Sequence, residues 1–129
     1  MCSAAVDRNP DPTSVYKMIF DAGSQGHVAS TAFIYSADTG YWTAANNQTL
    51  AQIMTDYFLS FAITLNPNTL KNAAAPEWPA YVSGAPNEAG VSVGFQILDV
   101  TYTSIVPIED PDVNPGCDFM AGQGVAIAN

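Results

Sequence analysis

Positive charge is scarce in this 129-residue sequence. It has three Lys and Arg residues against twelve Asp and Glu residues, which gives a formal net charge of −9. Proteins that bind nucleic acids neutralise phosphates with Lys and Arg, so this composition argues against that class of function. Binding to an anionic membrane surface is disfavoured for the same reason.

Charge of either sign is also low. Charged residues make up 12% of the sequence and hydrophobic residues 48%, whereas about 25% of residues are charged in an average soluble domain. A small domain has a large surface for its volume and needs polar residues to cover it. The composition therefore predicts that part of the surface is buried against something else.

Long hydrophobic runs are absent as well. No apolar stretch approaches the roughly 18–20 residues of a transmembrane helix, so no membrane span is predicted. Residues 1–7 lack the basic start and apolar stretch of a signal peptide. If the parent protein is secreted, we expect its signal to lie outside this sequence.

Metal ligands are few. Cys2, Cys117 and the single histidine, His27, cannot build a zinc site with the usual ligand spacing. The sequence leaves open whether the two cysteines pair with each other, pair elsewhere or stay unpaired. Three aspartates near the C-terminus lack the spacing of a calcium loop and predict a solvated acidic loop: Asp110, Asp112 and Asp118. We therefore predict no metal and no cofactor.

The hydrophobic pattern in the middle of the chain predicts one long α-helix. Thr49 and Gln52 have the spacing of a capping box at its start, and Asn66-Pro67 predicts its end because proline disfavours a helical residue before it. Between these limits, apolar residues recur at helical spacing along one face, which is interpreted as core: Leu50, Ile53, Met54, Tyr57, Phe58, Phe61, Ala62 and Leu65.

Shorter apolar runs on either side of this helix predict β-strands. Residues 15–20 are β-branched and aromatic and predict a strand, followed by a loop to His27. Residues 31–35 are apolar, but their pattern distinguishes neither a helix nor a strand. Residues 91–98 and 101–108 predict two strands of a β-hairpin that bends near 99–100. Together these elements indicate the α/β class.

Three stretches resemble the C-terminal part of fungal type-B carboxylesterases and lipases, which are cholinesterase-like α/β-hydrolases. Residues 26–35, Gly-His-Val-Ala-Ser-Thr-Ala-Phe-Ile-Tyr, are similar to the segment that carries the family's triad histidine. Residues 56–68 resemble a late helix ending in Leu-Asn-Pro-Asn, and a Trp-Pro-x-Tyr motif follows at 78–81. Asp-Pro-Asp at 110–112 and Cys-Asp-Phe at 117–119 resemble the ending of secreted members.

The resemblance implies that residues 1–129 are the C-terminal portion of an α/β-hydrolase domain. It makes His27 the catalytic histidine, and it implies a small-molecule carboxylic ester as the substrate of the complete, secreted enzyme. In these hydrolases the chain order is Ser, then Asp or Glu, then His, so a C-terminal portion should hold only the histidine. Many members have Gly and Glu near the histidine, where this sequence has Val28 and Ser30.

The nucleophile motif Gly-x-Ser-x-Gly is absent. Its nearest approach is Ala22-Gly23-Ser24-Gln25-Gly26. No helix signature follows Ser24, no acidic residue separates it from His27, and the two lie three positions apart. We therefore expect this chain to lack the serine nucleophile and the oxyanion hole.

Two hypotheses remain, and the sequence leaves open whether this chain is an enzyme. One is the histidine-bearing part of an ester hydrolase, inactive alone; the other is a non-catalytic interaction module of the same ancestry. In either case, open apolar surface and strand edges predict self-association of the isolated chain. Asn47-Gln48-Thr49 is an N-glycosylation sequon, which fits a secreted glycoprotein.

Overall fold

The chain divides into two compact units. The computed structural model describes residues 15–23, 26–35, 47–82, 94–113, 115–116 and 119. The first unit takes in 1–17, 79–97 and 108–129, and the second takes in 18–78 and 98–107. The elements are β1 (Met18–Phe20), α1 (Thr31–Ile34), α2 (Gln48–Thr64), β2 (Gln96–Val100) and β3 (Ile105–Glu109).

Within the described residues, the strands form a three-stranded sheet in the order β1-β2-β3. β1 is parallel to β2, with Met18 opposite Leu98 and Phe20 opposite Val100. β2 and β3 are neighbours joined by residues 101–104, a connection short enough only for an antiparallel pair. A mixed sheet with helices is an α/β fold, the predicted class.

The strand boundaries differ from those predicted. β1 covers only the end of the predicted 15–20 run. The bend between β2 and β3 lies at 101–104 rather than near 99–100, because Thr101 N–H donates to the Ser104 carbonyl (2.9 Å) and closes the turn there. Residues 91–93, predicted to begin the second strand, lie outside the described residues, as do Cys2, Ser24, Cys117 and Asp118.

The long helix is present as α2, with 17 residues, but its cap is not the predicted one. Asn47 is the N-cap, and its side-chain oxygen accepts a hydrogen bond from Leu50 N–H (2.9 Å). The capping box of Thr49 and Gln52 was wrong, because the helix begins at Gln48 and places Thr49 inside its first turn. Gln52 instead donates to Asp56 one turn on (2.7 Å).

The N-terminal half of the predicted apolar face is core. Leu50, Ile53, Met54 and Tyr57 are buried. The ring of Trp78, also buried, meets Tyr57 edge to face with centroids 5.4 Å apart. Burial, with the charge of Glu77, raises the pKa of Tyr57. This phenol is therefore an uncharged core group whose hydroxyl donates to the Pro76 carbonyl (2.6 Å).

The C-terminal half of that face was predicted wrongly. Phe61 is 38% exposed and Leu65 70% exposed, whereas the polar Ser60 is fully buried. Ser60 is buried because its hydroxyl donates to the Asn66 carbonyl (2.7 Å) and accepts from Leu70 N–H (2.9 Å). The last turns of α2 thus pack against the loop that follows the helix, at residues 66–70. The apolar face of the helix extends beyond the core, so its last apolar residues are exposed.

The end of α2 stores backbone strain. Leu65 has φ 60°, in the left-handed region, and its N–H closes the helix on the Phe61 carbonyl (2.8 Å). Glycine is the usual residue at such a position because it has no Cβ. We expect Leu65→Gly to raise the free energy of unfolding by about 1 kcal/mol, measured by urea denaturation. Leu65→Ala is the matched control, because it removes the exposed side chain but keeps the strain; equal gains in both variants would contradict this explanation.

Candidate functional site

The candidate site lies at one edge of the parallel strand pair. β1 and β2 end together at Phe20 and Val100, and Asp21 N–H extends the pairing by donating to the Val100 carbonyl (2.7 Å). The loop that carries His27 and the turn at 101–104 therefore leave from the same edge. In α/β folds, ligands bind outside the carboxyl ends of parallel strands.

His27 lies in this loop with its side chain exposed. Two successive turns shape the backbone around it: Ala29 N–H donates to the Gly26 carbonyl and Thr31 N–H to the Val28 carbonyl, both at 3.0 Å. Within the described residues the imidazole makes no hydrogen bond or ion pair. Among the described residues, no acidic side chain is therefore bonded to this imidazole.

The loop is anchored where α1 begins. Phe33 is buried, and its ring lies 5.2 Å from that of Phe20 and 6.0 Å from that of Tyr102. The hydroxyl of Thr55, on α2, donates to the carbonyl oxygens of Phe33 (3.2 Å) and Ile34 (2.9 Å). These contacts explain why residues 31–34, ambiguous by periodicity, form a helical turn.

One expectation about this loop was wrong. No helix was predicted after Ser24, yet α1 begins at Thr31. A nucleophile elbow is a sharp turn directly from strand to helix, and here residues 21–30 separate β1 from α1.

Two unusual backbone positions hold the histidine loop. Gly23 has φ 98°, and a Cβ there would lie 3.0 Å from the Tyr102 hydroxyl, so a larger residue would be both strained and crowded. Val28, next to His27, has φ 62°. A β-branched residue in the left-handed region is a true outlier that costs about 1–3 kcal/mol, and such strain concentrates at functional sites.

A cleft lies in the same unit, beside the start of α2. Its volume is about 410 Å³, in the range of small-molecule sites. The turn at 101–104 forms one side, and no lining residue is an acid, lysine, arginine or histidine. The lining residues are Asn47, Thr49, Leu50, Ile53, Ala74, Pro76, Thr101, Tyr102, Thr103, Ser104 and Ile105.

A cluster of charged side chains around Lys17 lies in the other unit. Lys17 Nζ donates to both carboxylate oxygens of Asp110 (2.8 and 2.7 Å) and to Asp112 (2.8 Å). The Tyr81 hydroxyl donates to Asp110 at 2.6 Å. The Asp110 side chain is fully buried, so the prediction of a solvated acidic loop was wrong for this residue. In the described ranges, no three acidic, cysteine or histidine residues group in a way that would hold a metal ion.

The pKa shifts in this cluster favour the ion pair. Burial raises the pKa of Asp110, but the hydrogen bonds from Lys17 and Tyr81 outweigh burial and hold it below its ordinary value. Burial lowers the pKa of Lys17, but the hydrogen bonds to Asp110 and Asp112 outweigh it and raise the pKa. Burial and Asp110 raise the pKa of Tyr81. All three groups keep their usual charge at neutral pH, which fits a structural role.

The mixed sheet and its helices define an α/β fold, and comparison with solved structures identifies it as esterase-like. The esterase EstA of Aspergillus niger superposes with a TM-score of 0.69 and 25% sequence identity over 99% of this chain. The match covers 25% of the EstA chain, so this chain spans about a quarter of that protein's length. A scan against models of protein families and a search of curated proteins each found no match. Among the described residues, no helix is long and apolar enough to cross a membrane.

Proposed function

We propose that this chain is the C-terminal portion of a secreted type-B carboxylesterase or lipase and that His27 is its triad histidine. The observation that best supports this proposal is the position of His27, exposed in a strained loop at the carboxyl edge of a parallel strand pair in an esterase-like fold. In the complete enzyme the substrate is a small-molecule carboxylic ester.

The proposed chemistry needs groups that lie in the rest of the enzyme. A serine attacks the ester carbonyl while the imidazole of His27 takes the serine proton, and His27 then returns that proton to the leaving alcohol. Imidazole suits both steps because it accepts and releases a proton near neutral pH. Backbone N–H groups of the oxyanion hole supply much of the rate, so the chain alone should be inactive.

A chimaera with EstA tests the role of His27. The quarter of EstA that matches this chain is replaced by this chain, and hydrolysis of p-nitrophenyl butyrate is measured with unmodified EstA as the positive control. A folded chimaera should hydrolyse the ester, and His27→Ala should lower kcat by at least about 1,000-fold, as expected for loss of a triad member. Equal activity with and without His27→Ala, at an unchanged Tm, would contradict the proposal.

A second candidate, a non-catalytic interaction module, is favoured by the end of α2. The last two turns carry large apolar side chains in solvent, with Leu59 54% and Ile63 70% exposed on the face opposite the core. Clustered exposed apolar residues of this kind mark interaction surfaces. Leu70, in the loop that follows, is 56% exposed.

This surface leads us to expect self-association of the isolated chain. Sedimentation should show oligomers that increase at high salt, because salt screens the repulsion between copies of net charge −9. Leu59→Glu with Ile63→Glu should shift the protein to a monomer, whereas Gln52→Glu, on the same face two turns earlier, should not. A wild-type monomer at high salt would argue against an open interaction surface.

A further inference from the structure

We propose that Asn47 carries an N-linked glycan whose first sugar lies in the cleft beside the start of α2. The sequon Asn47-Gln48-Thr49 begins this helix. Asn47 and Thr49 both line the cleft, and Gln48 and Thr49 are exposed. The proposal requires passage through a secretory compartment, but its outcome is independent of the role of His27.

The side chain of Asn47 is held in a way that leaves one amide hydrogen for the sugar. Its oxygen accepts from Leu50 N–H (2.9 Å), and its nitrogen donates one hydrogen to the Tyr102 carbonyl (2.7 Å). An amide nitrogen carries two hydrogens. Glycosylation replaces one and leaves an N–H, so the helix cap and the bond to Tyr102 are both retained. Because Asn47 lines the cleft, a sugar attached to this amide begins next to the cleft.

The cleft has the chemistry of a sugar-binding surface. A sugar is uncharged, with hydroxyl groups around its rim and apolar C–H groups on its faces. The cleft offers hydroxyl groups from Thr49, Thr103 and Ser104 together with apolar walls from Ile53 and Pro76. Tyr102, which also lines the cleft, is 44% exposed. The volume of about 410 Å³ is large enough for more than a single side chain.

The attachment step needs a sugar donor from the secretory pathway. The donor is a lipid diphosphate-linked oligosaccharide, and its transferase recognises the hydroxyl two residues after the asparagine. A bond forms between Nδ2 of Asn47 and the anomeric carbon of the first sugar. The bond from that carbon to the diphosphate oxygen breaks, and Nδ2 loses one proton. No electron transfer is involved.

Attachment is tested by secreting the full chain, behind an added signal peptide, from a eukaryotic host. The intact mass is measured before and after treatment with an amidase that releases N-glycans. The wild type and Thr49→Ser, which keeps the sequon, should both carry one glycan. Thr49→Val removes the sequon without touching the Asn47 cap and should carry none. A wild-type protein of unmodified mass would overturn the proposal.

The position of the first sugar is tested by the rate of glycan release from the folded protein. If the sugar lies in the cleft, filling the cleft should expose the linkage and speed its cleavage. Ala74→Phe, at an exposed cleft residue, should accelerate release at least about 10-fold. Thr103→Phe, at a second cleft-lining residue, should accelerate release in the same way and guards against misfolding of the first variant. Circular dichroism identifies the variants that fold. Unchanged release rates in folded variants would overturn the seating of the sugar in the cleft.

Discussion

Replacing Asp110 with asparagine should lower the free energy of unfolding by about 3 kcal/mol at neutral pH. The Asp110 side chain is fully buried, and that of Lys17 is 19% exposed. Removing one member of a buried ion pair leaves the other without compensation, which costs about 3–5 kcal/mol. We expect the lower end of that range because the Lys17 ammonium is not fully buried. Urea denaturation of both proteins measures the difference.

Asp112→Asn is the matched control, because this carboxylate contacts the same Lys17 Nζ but its side chain is 53% exposed. It should cost less than about 1 kcal/mol. Because the folded state lowers the pKa of Asp110, ionised Asp110 contributes fully to stability at pH values above 3.8, the ordinary pKa of the group. This contribution is lost as the pH falls through the lower pKa of the folded state. The difference between the wild type and Asp110→Asn should therefore shrink in strong acid. Equal losses in the two variants would contradict the assignment of Asp110 as the buried partner.

Replacing Tyr57 with alanine should cost about 3–5 kcal/mol, the range for large aromatic residues in a core. Tyr57 is fully buried and packs on Trp78. Tyr57→Phe separates the ring from the hydroxyl and should cost about 1 kcal/mol, because it leaves the Pro76 carbonyl without its donor. Thermal and urea unfolding of the three proteins measure these losses.

Phe61→Ala is the comparison that tests how far the core extends along α2. Phe61 lies on the same predicted apolar face, one turn later, but is 38% exposed. Its replacement should cost about 1 kcal/mol, from partial loss of buried apolar surface. A loss as large as that of Tyr57→Ala would mean that the core reaches the end of the helix.

The sequence predicted the long helix and the strands because their signals are local. Hydrophobic periodicity reports which face of a helix is apolar, and Leu50 to Tyr57 follow it. It does not report where the core stops, so Phe61 was predicted to be core although it is 38% exposed, and the burial of Ser60 was not predicted. The cap was missed because Thr49 matched a motif, whereas Asn47 also bonds to Tyr102, which is distant in sequence.

The residues of the candidate site and of the ion pair could also be predicted only where the signal was local in the sequence. His27 was predicted from its neighbours in the sequence, through a resemblance, and no contact in the described residues tests its role. The ion pair of Lys17 and Asp110 joins residues 93 positions apart, and nothing in either local sequence marked them as partners. The strain at Val28 had one sequence signal, because a valine stands where many members of the resembled family have glycine.

The most direct test of the central claim is ester hydrolysis by the purified chain. Release of p-nitrophenol from the acetate and butyrate esters is followed for the wild type, Ser24→Ala and His27→Ala. If this chain supplies a catalytic histidine but no nucleophile, the wild type should be no faster than free imidazole at the same concentration, and Ser24→Ala should not change its rate. Saturable turnover that disappears in Ser24→Ala would contradict the account, because the chain would then contain its own nucleophile.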